Sequence, residues 1–292
     1  MSGGTLFVVA TPIGNLKDVT LRGLEILGNV PLVAAEDTRL TRRLFARHGI
    51  STPLMSFHAR NARARLPDLL GRLRSGDDIA LVTDAGTPSV SDPGEDLVGA
   101  WAAEGGTVVP VPGASAMLAA ISATGIAGPR WSFEGFLPRS GRERRERLER
   151  LAADPRGAVL FEAPGRLAGT LADLARTCGA DRPAAVCREL TKVHESIVRG
   201  EIAALAAAAA DGSIPARGEV TIVIGATAVQ ARSPRARAGA VAAAGHVTED
   251  EARARVTALI ASGVAAGDAA RRVAADTGIP RRRLYVAADR ER

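Results

Sequence analysis

The chain has 292 residues, 46% of them hydrophobic, with a formal net charge of +6. That is ample apolar material for a buried core and enough length for two or three domains. Two cysteines (Cys178 and Cys187) and four scattered histidines exclude a disulfide framework and a Cys- or His-based metal site. The first residues carry no signal-peptide pattern and no apolar stretch reaches membrane-span length, so a soluble, cytoplasmic, metal-free protein is expected.

Four strand–turn–helix units fill residues 1–127. "LFVVA" runs into Thr11-Pro12-Ile13-Gly14-Asn15, and "DVTLRGLEIL" follows with Leu21, Leu24 and Leu27 read as one helical face. "PLVAAED" precedes "TRLTRRLFARHG", where Gly49 is the expected helix C-terminal cap. "DIALVTD" precedes "AGTPSVSDPG", and "GTVVPV" precedes "PGASAMLAAISATG". Short apolar strands alternating with helices predict a mostly parallel sheet covered on both faces. In such sheets ligands bind beyond the carboxyl ends of the strands, where all four turns lie.

The pattern changes after Gly128-Pro129. A strand "WSFEGFL", an Arg-rich helix at 139–153, and then "GAVLFE", "GRLAGTLADLARTC", "AAVCREL", "HESIVRG", "EIAALAAAAADG" and "GEVTIVIGA" predict a second α/β domain at 128–228. Adjacent strands with no helix between them imply a mixed sheet. An Ala/Arg/Pro/Gly-rich linker is expected at 229–245. The tail, 246–292, reads as small, all-α and helix-turn-helix-like, with Thr248 as an N-cap and a Thr-Gly-Ile-Pro turn. An ordinary helical hairpin gives the same pattern.

Charge is unevenly spread. Residues 232–292 hold 12 Arg and 7 acids, residues 39–74 hold nine Arg and the single acid Asp68, and 139–150 holds six Arg and three Glu. Clustered arginine suits a polyanion. Solvated helix faces account for it as well.

The corners carry the chemistry. Pro12 has no N–H, so the first turn is a poor phosphate cradle; a rigid turn with a glycine suits an uncharged or cationic ligand, or no ligand at all. In "VTDAGTPSVSDPG", Asp84 ends a strand, Gly86-Thr87-Pro88 forms one turn and Asp92-Pro93-Gly94 another. "VPGASA" repeats the theme, with Ser115 at a helix start. Such rigid, irregular backbone presents C=O and N–H groups at fixed positions, as S-adenosyl-L-methionine requires. Each loop alone is explained by turn chemistry; three on one sheet margin predict a ligand cleft.

ATPIGNL, AAEDTR, DAGTPSVSDPG, VPGASA, GFLPR, RELTK and GEVTIVI occur in this order. Together they resemble the tetrapyrrole-methylase superfamily, most closely its ribosomal-RNA branch, which 2′-O-methylates a decoding-centre cytidine of 16S rRNA. The resemblance implies two α/β domains flanking an S-adenosylmethionine cleft, and a homodimer. It implies cofactor contacts at Pro12, Asp84, Gly86, Thr87, Ser115 and Ala116, with walls near Phe161, Cys187 and Thr221. One stretch departs: where an aromatic-Glu-Ser-Pro-His-Arg pattern is expected, the chain has Phe161-Glu162-Ala163-Pro164-Gly165-Arg166.

Direct methyl transfer to a ribose oxygen needs alignment and a proton acceptor rather than a metal or covalent intermediate. Glu36, Asp37, Glu162 and Glu189 are candidate bases, and Lys192 a candidate oxyanion stabiliser; Asp37 also reads as a helix cap. The RNA is expected to meet Arg39, Arg42, Arg43, Arg47, Arg60, Arg63 and Arg65, and in the second segment Arg144 and Arg145. Two other functions remain open: a precorrin-type C-methyltransferase, and a non-enzymatic nucleic-acid-binding protein acting through its tail.

Overall fold

A computed structural model describes residues 3–90, 94–227, 249–277 and 279–285. They fall into two units, 1–225 and 226–292.

The larger unit holds two five-stranded sheets. In the first, β1 (Thr5–Val9), β2 (Leu32–Ala35), β3 (Leu54–Ser56), β4 (Ile79–Val82) and β5 (Thr107–Val111) lie in the order β3-β2-β4-β1-β5, all parallel. Every residue of β2 and β4 is buried, and their side chains alternate between two cores. Leu32, Ala34, Ile79 and Leu81 pack with α3 (Ala62–Arg74) and α4 (Glu95–Ala103) through Leu69, Leu73, Leu97 and Trp101. Val33, Ala35, Ala80 and Val82 pack with α1 (Leu21–Asn29) and α2 (Thr38–His48) through Leu27, Leu44 and Phe45. Helices therefore cover both faces, as the alternating pattern predicts. Gly49 closes α2 in the left-handed conformation at φ 67°.

Two details differ from the sequence reading. Leu21 does not share the buried face of Leu27: it is 85% exposed, and Gly23 is the other buried residue of α1. The short strand β3 and the helix α3 add an element pair that the four-unit reading lacks.

The second sheet is mixed. β6 (Trp131–Phe136), β7 (Gly157–Glu162), β8 (Pro183–Arg188), β9 (Ser196–Glu201) and β10 (Val220–Ile224) lie in the order β6-β7-β10-β8-β9. β6 and β7 are parallel and the remaining pairs antiparallel. One face, carrying Leu160, Val186, Ile222 and Ile224, packs on α6 (Gly141–Ala153), α7 (Leu167–Cys178) and α8 (Ile202–Ala210). The other face, carrying Val159, Cys187 and Val223, packs on Ile13 and on Ala120 of α5 (Ala116–Thr124). This apolar seam joins the two sheets and lies beside the carboxyl margin of the first.

In the smaller unit α9 (Glu249–Ala261), α10 (Ala266–Thr277) and α11 (Arg281–Tyr285) enclose Ala252, Val256, Ala269, Val273 and Leu284. The expected linker at 229–245, the Thr248 cap, Asp92-Pro93 and Gly278 of the expected turn lie outside the described residues. Among the described residues no helix is long and apolar enough to cross a membrane.

Candidate active site

The three corners are tied to one another by hydrogen bonds. Thr11 N donates to Gly86 O (2.8 Å), and Gly86 N returns a bond to Thr11 O (3.0 Å). Thr11 Oγ1 donates to Thr83 O (3.0 Å), and Thr87 Oγ1 to Ala114 O (3.3 Å). Ser115 caps α5 by accepting from Leu118 N (3.4 Å). Strand ends that would otherwise be free loops thus form one rigid margin.

Beneath that margin lies a cavity of about 440 Å³. Its near wall is Ile13, residues 85–87, Val90, Ser115 and Ala116; its far wall is Phe136, residues 161–164 and residues 218–221. Six of the nine residues expected at the cofactor line it: Gly86, Thr87, Ser115, Ala116, Phe161 and Thr221. Three do not. Pro12 is buried behind Ile13. Asp84 turns toward the start of α2, where its Oδ1 accepts from Asp37 N (2.8 Å). Cys187 is a core residue. Register places Phe161, Thr221 and Cys187 in one row across β7, β10 and β8, but the cysteine end of the row sits under Ile13 and Leu190, 1% exposed. Burial pushes its thiol up to about 11.

Phe136 is the most conspicuous lining residue that the sequence reading passed over. Its ring, half-exposed, lies 5.7 Å from that of Phe161, which in turn meets Phe133 edge-on at 5.0 Å. GFLPR holds the signal, an aromatic directly before a rigid turn. Among the described residues, the charged side chains lining the cavity are Glu162 and Glu219. A polyphosphate is therefore disfavoured there, while an aromatic ligand with a positive centre is accommodated.

Glu162 is not available as a base. Buried, it accepts from Ala163 N (2.8 Å) and Thr170 Oγ1 (2.6 Å) and pairs with Arg166 Nε (3.1 Å). Arg166 also donates to Leu137 O (2.7 Å). These bonds hold the Ala163-Pro164-Gly165 turn in shape.

The four expected catalytic residues form two groups, neither lining the cavity. Glu36 Oε2 accepts from Thr83 Oγ1 (2.7 Å) and Asp84 N (3.3 Å), and Oε1 takes part in no described hydrogen bond. Asp37 caps α2 and grips Arg39 (2.6 Å); that guanidinium and the Arg39 N–H hold its carboxyl well down, to about 2. Partial burial pushes Asp84 up, helped by the neighbouring charges of Glu36 and Asp37 and opposed by the bond from Asp37 N.

In the second group Glu189 Oε1 accepts from Glu219 N (2.8 Å) and Lys192 Nζ (2.9 Å), and both bonds hold its carboxyl below the usual range. Burial works against the charge on Lys192, but Glu189 and Glu219 outweigh it and hold the ammonium above the usual lysine range. Gly14 is required here: a Cβ would lie 2.4 Å from Lys192 Cγ. Gly218 is required twice over, by φ +75° and by Glu189 Oε1, 2.3 Å from any Cβ. Among the described residues, the non-glycine positions with positive φ are Ser89 (67°), next to the lining residue Val90, and Glu189 (51°) and Thr191 (69°), on the loop that bonds to Glu219.

Of the expected RNA contacts, Arg39, Arg42, Arg43 and Arg47 lie exposed on α2, and Arg60, Arg63 and Arg65 on the segment after β3 and the start of α3. Arg144 corrects the sequence reading. Its side chain, 11% exposed, points inward to Asp173 (2.7 Å), Thr170 Oγ1 (3.0 Å) and Pro138 O (3.0 Å). It pins α6 to α7, while Arg145 stays exposed.

The family model for Tetrapyrrole (Corrin/Porphyrin) Methylases matches residues 5–206. The chain belongs to the tetrapyrrole methylases. This methylase is 51% identical over 197 residues to the ribosomal RNA small subunit methyltransferase I of Pseudomonas aeruginosa, covering 68% of its own length and 70% of the relative. It is 45% identical over 199 residues to the protein of that name from Thermotoga maritima, covering 68% and 89%. Among solved structures it shares the fold of a cobalt precorrin-4 methyltransferase, with TM-score 0.59 and 21% identity over 76% of this chain and 94% of that one. It also shares the fold of the Thermus thermophilus uroporphyrin-III C-methyltransferase complexed with S-adenosylhomocysteine, with TM-score 0.56 and 19% identity over 76% and 97%.

Proposed function

We propose that this methylase uses S-adenosyl-L-methionine to methylate the ribose 2′-oxygen of a decoding-centre cytidine in 16S rRNA. The observation that carries the reading is a cavity with no lysine or arginine among its described lining residues, in a unit whose exposed Arg42, Arg43, Arg47, Arg60 and Arg63 are in no ion pair among the described residues. The names of its relatives point the same way. A porphyrinoid acceptor would leave those arginines without a purpose.

The donor set fits the cofactor. Backbone at residues 85–87 and 115–116 and the hydroxyls of Thr87, Ser115 and Thr221 suit adenosine and the amino-acid end, while Ile13, Phe136 and Phe161 suit the adenine faces. When bound, the cofactor supplies an electrophilic methyl carbon. The chain's own task is alignment and proton removal. Glu36 is the base of choice because one oxygen stays free while Thr83 and Asp84 fix the other. Asp37, held near 2, is too weakly basic at neutral pH. Lys192, kept charged, stabilises developing negative charge from the opposite side. Residues 1–127 supply the near wall of the cavity, 128–228 its far wall, and the tail beyond 246 aids targeting. Leu118 and Val193, apolar and exposed, suit burial in a homodimer in the cytoplasm.

The test is methyl transfer to small ribosomal subunits from a strain lacking the modification, read by nucleoside mass spectrometry of the 16S rRNA. A 2′-O-methylcytidine that appears only with the protein and cofactor supports the reading; methylated base, or none, sinks it. Glu36→Gln is expected to lower kcat by roughly 10²–10⁴-fold with calorimetric cofactor affinity unchanged.

A further inference from the structure

A second cavity, of about 500 Å³, opens on the same margin beyond the ends of β2 and β3. Its lining is Glu36, Asp37, Thr38 and Arg39 on one side and Ser56, His58, Ala59 and Arg60 on the other. The two cavities are chemical opposites. The first is mainly apolar, with no cation among its described lining residues; this one is lined by two guanidiniums, an imidazole, two carboxylates and two hydroxyls, together with Ala59.

They share a wall. Glu36, which lines the second, bonds to Thr83 and Asp84, and the next residue, Ala85, lines the first. The notch therefore lies one to two strand spacings along the margin, roughly 5–10 Å. Its shape is fixed by Asn61, which donates to Ser56 O (3.1 Å) and Ser56 Oγ (3.0 Å) and accepts from His58 N (2.8 Å). That leaves the half-buried His58 ring and the exposed Arg60 with no described side-chain hydrogen bond.

We infer that this notch is a subsite for one unstacked nucleotide flanking the methyl-accepting residue in the same RNA chain. Arg60 takes its phosphate, and the His58 ring meets its base. Size supports one nucleotide, since ligand pockets begin at about 300 Å³. Charge supports it too: the Arg60 guanidinium suits the phosphate, and the paired Asp37 and Arg39 offer an acceptor and a donor to a base edge. Arg42 on α2 and Arg63 on α3, both exposed, follow the notch-lining Arg39 and Arg60 within one turn of chain. The inference rests on the RNA-methylating reading and assigns the part of that substrate read beside the reacting ribose.

The experiment measures methyl transfer to small ribosomal subunits by wild type, Arg60→Ala and His58→Ala across a salt series, with cofactor affinity measured in parallel. Arg60→Ala is expected to raise KM about tenfold near physiological salt and to lower the salt slope by about one, the signature of a lost phosphate contact. His58→Ala is expected to raise KM at every salt with the slope unchanged, the signature of a lost base contact. His58→Asn, which keeps a hydrogen-bonding group, should recover part of the loss. Cofactor affinity should stay within twofold in all three. KM within twofold of wild type in both alanine variants overturns the subsite. If wild type methylates no ribosomal subunit, the underlying reading fails instead. Cytidine 5′-monophosphate then decides the notch directly: amide shifts around 56–60 that vanish in Arg60→Ala keep it, and their absence in wild type removes it.

Discussion

Two arginine-rich stretches of this chain have opposite fates. Along α2 and into α3, Arg42, Arg43, Arg47, Arg60 and Arg63 are exposed, and among the described residues none is in an ion pair. Along α6, Arg144 is bound to Asp173, Arg147 to Glu134 and Arg142 to Glu146. Local composition explains part of the contrast, because 139–150 brings three of its own glutamates whereas 39–74 has only Asp68. The fold explains the rest. α6 lies against α7, which presents Asp173 and Thr170 at the height of Arg144; on α2, no acid among the described residues pairs with Arg42, Arg43 or Arg47. Arginine density measures potential for a polyanion. Which guanidiniums remain available is decided by tertiary partners.

The contrast breaks most visibly if the two stretches respond alike to truncation. Arg144→Ala should lower stability by about 2–3 kcal/mol, since it takes the inward-pointing guanidinium from Asp173, whose remaining partner Arg176 is exposed, and from Thr170 and Pro138 O. Chemical denaturation reads this directly, and methyl transfer per folded molecule should not change. The triple variant Arg42→Ala, Arg43→Ala, Arg47→Ala should do the reverse. Its stability should stay within about 0.5 kcal/mol, as for surface substitutions. Its binding to small ribosomal subunits should weaken, with the salt slope falling by roughly two, three contacts at about 0.7 each. A triple variant that unfolds, or an Arg144 variant that loses only RNA affinity, would erase the distinction.

The same tertiary dependence sets what was legible in the sequence. β1, β2, β4 and β5 announce themselves as apolar runs, and the corners as Pro/Gly turns directly after them, so Gly86, Thr87, Ser115 and Ala116 were readable at the cavity. β3 is three residues long, and α3 was read for its arginines although Leu69, Leu70 and Leu73 form its buried side. The far wall depends on antiparallel register. Phe161 and Thr221 line the cavity, while Cys187, one strand further along the same row, is roofed by Ile13 and Leu190. No spacing in the chain marks where that roof begins. Arg144 is illegible for a similar reason, because Asp173 lies 29 residues away. His58 has no metal-ligand spacing to mark it, and only the fold brings it beside Arg39 and Glu36.

The smallest effect concerns the wall between the two cavities. Asp84 is pushed up by partial burial and by the charges of Glu36 and Asp37, so its folded-state pKa exceeds the unfolded value. Such a group favours the fold fully only below the unfolded carboxylate range, and the contribution is lost as pH rises through the folded pKa. At neutral pH the ionised Asp84 therefore works against the fold. Asp84→Asn removes that charge and keeps an oxygen to accept from Asp37 N. The variant should be more stable than wild type at pH 7, by less than about 1 kcal/mol because solvent screens a group this exposed. Thermal melts from pH 7 down toward pH 4 should show the gap closing as Asp84 takes up its proton. A variant less stable than wild type at pH 7 would mean that the charge itself orders the start of α2, and the basic and apolar halves of the margin would then be coupled through Asp84 rather than merely adjacent.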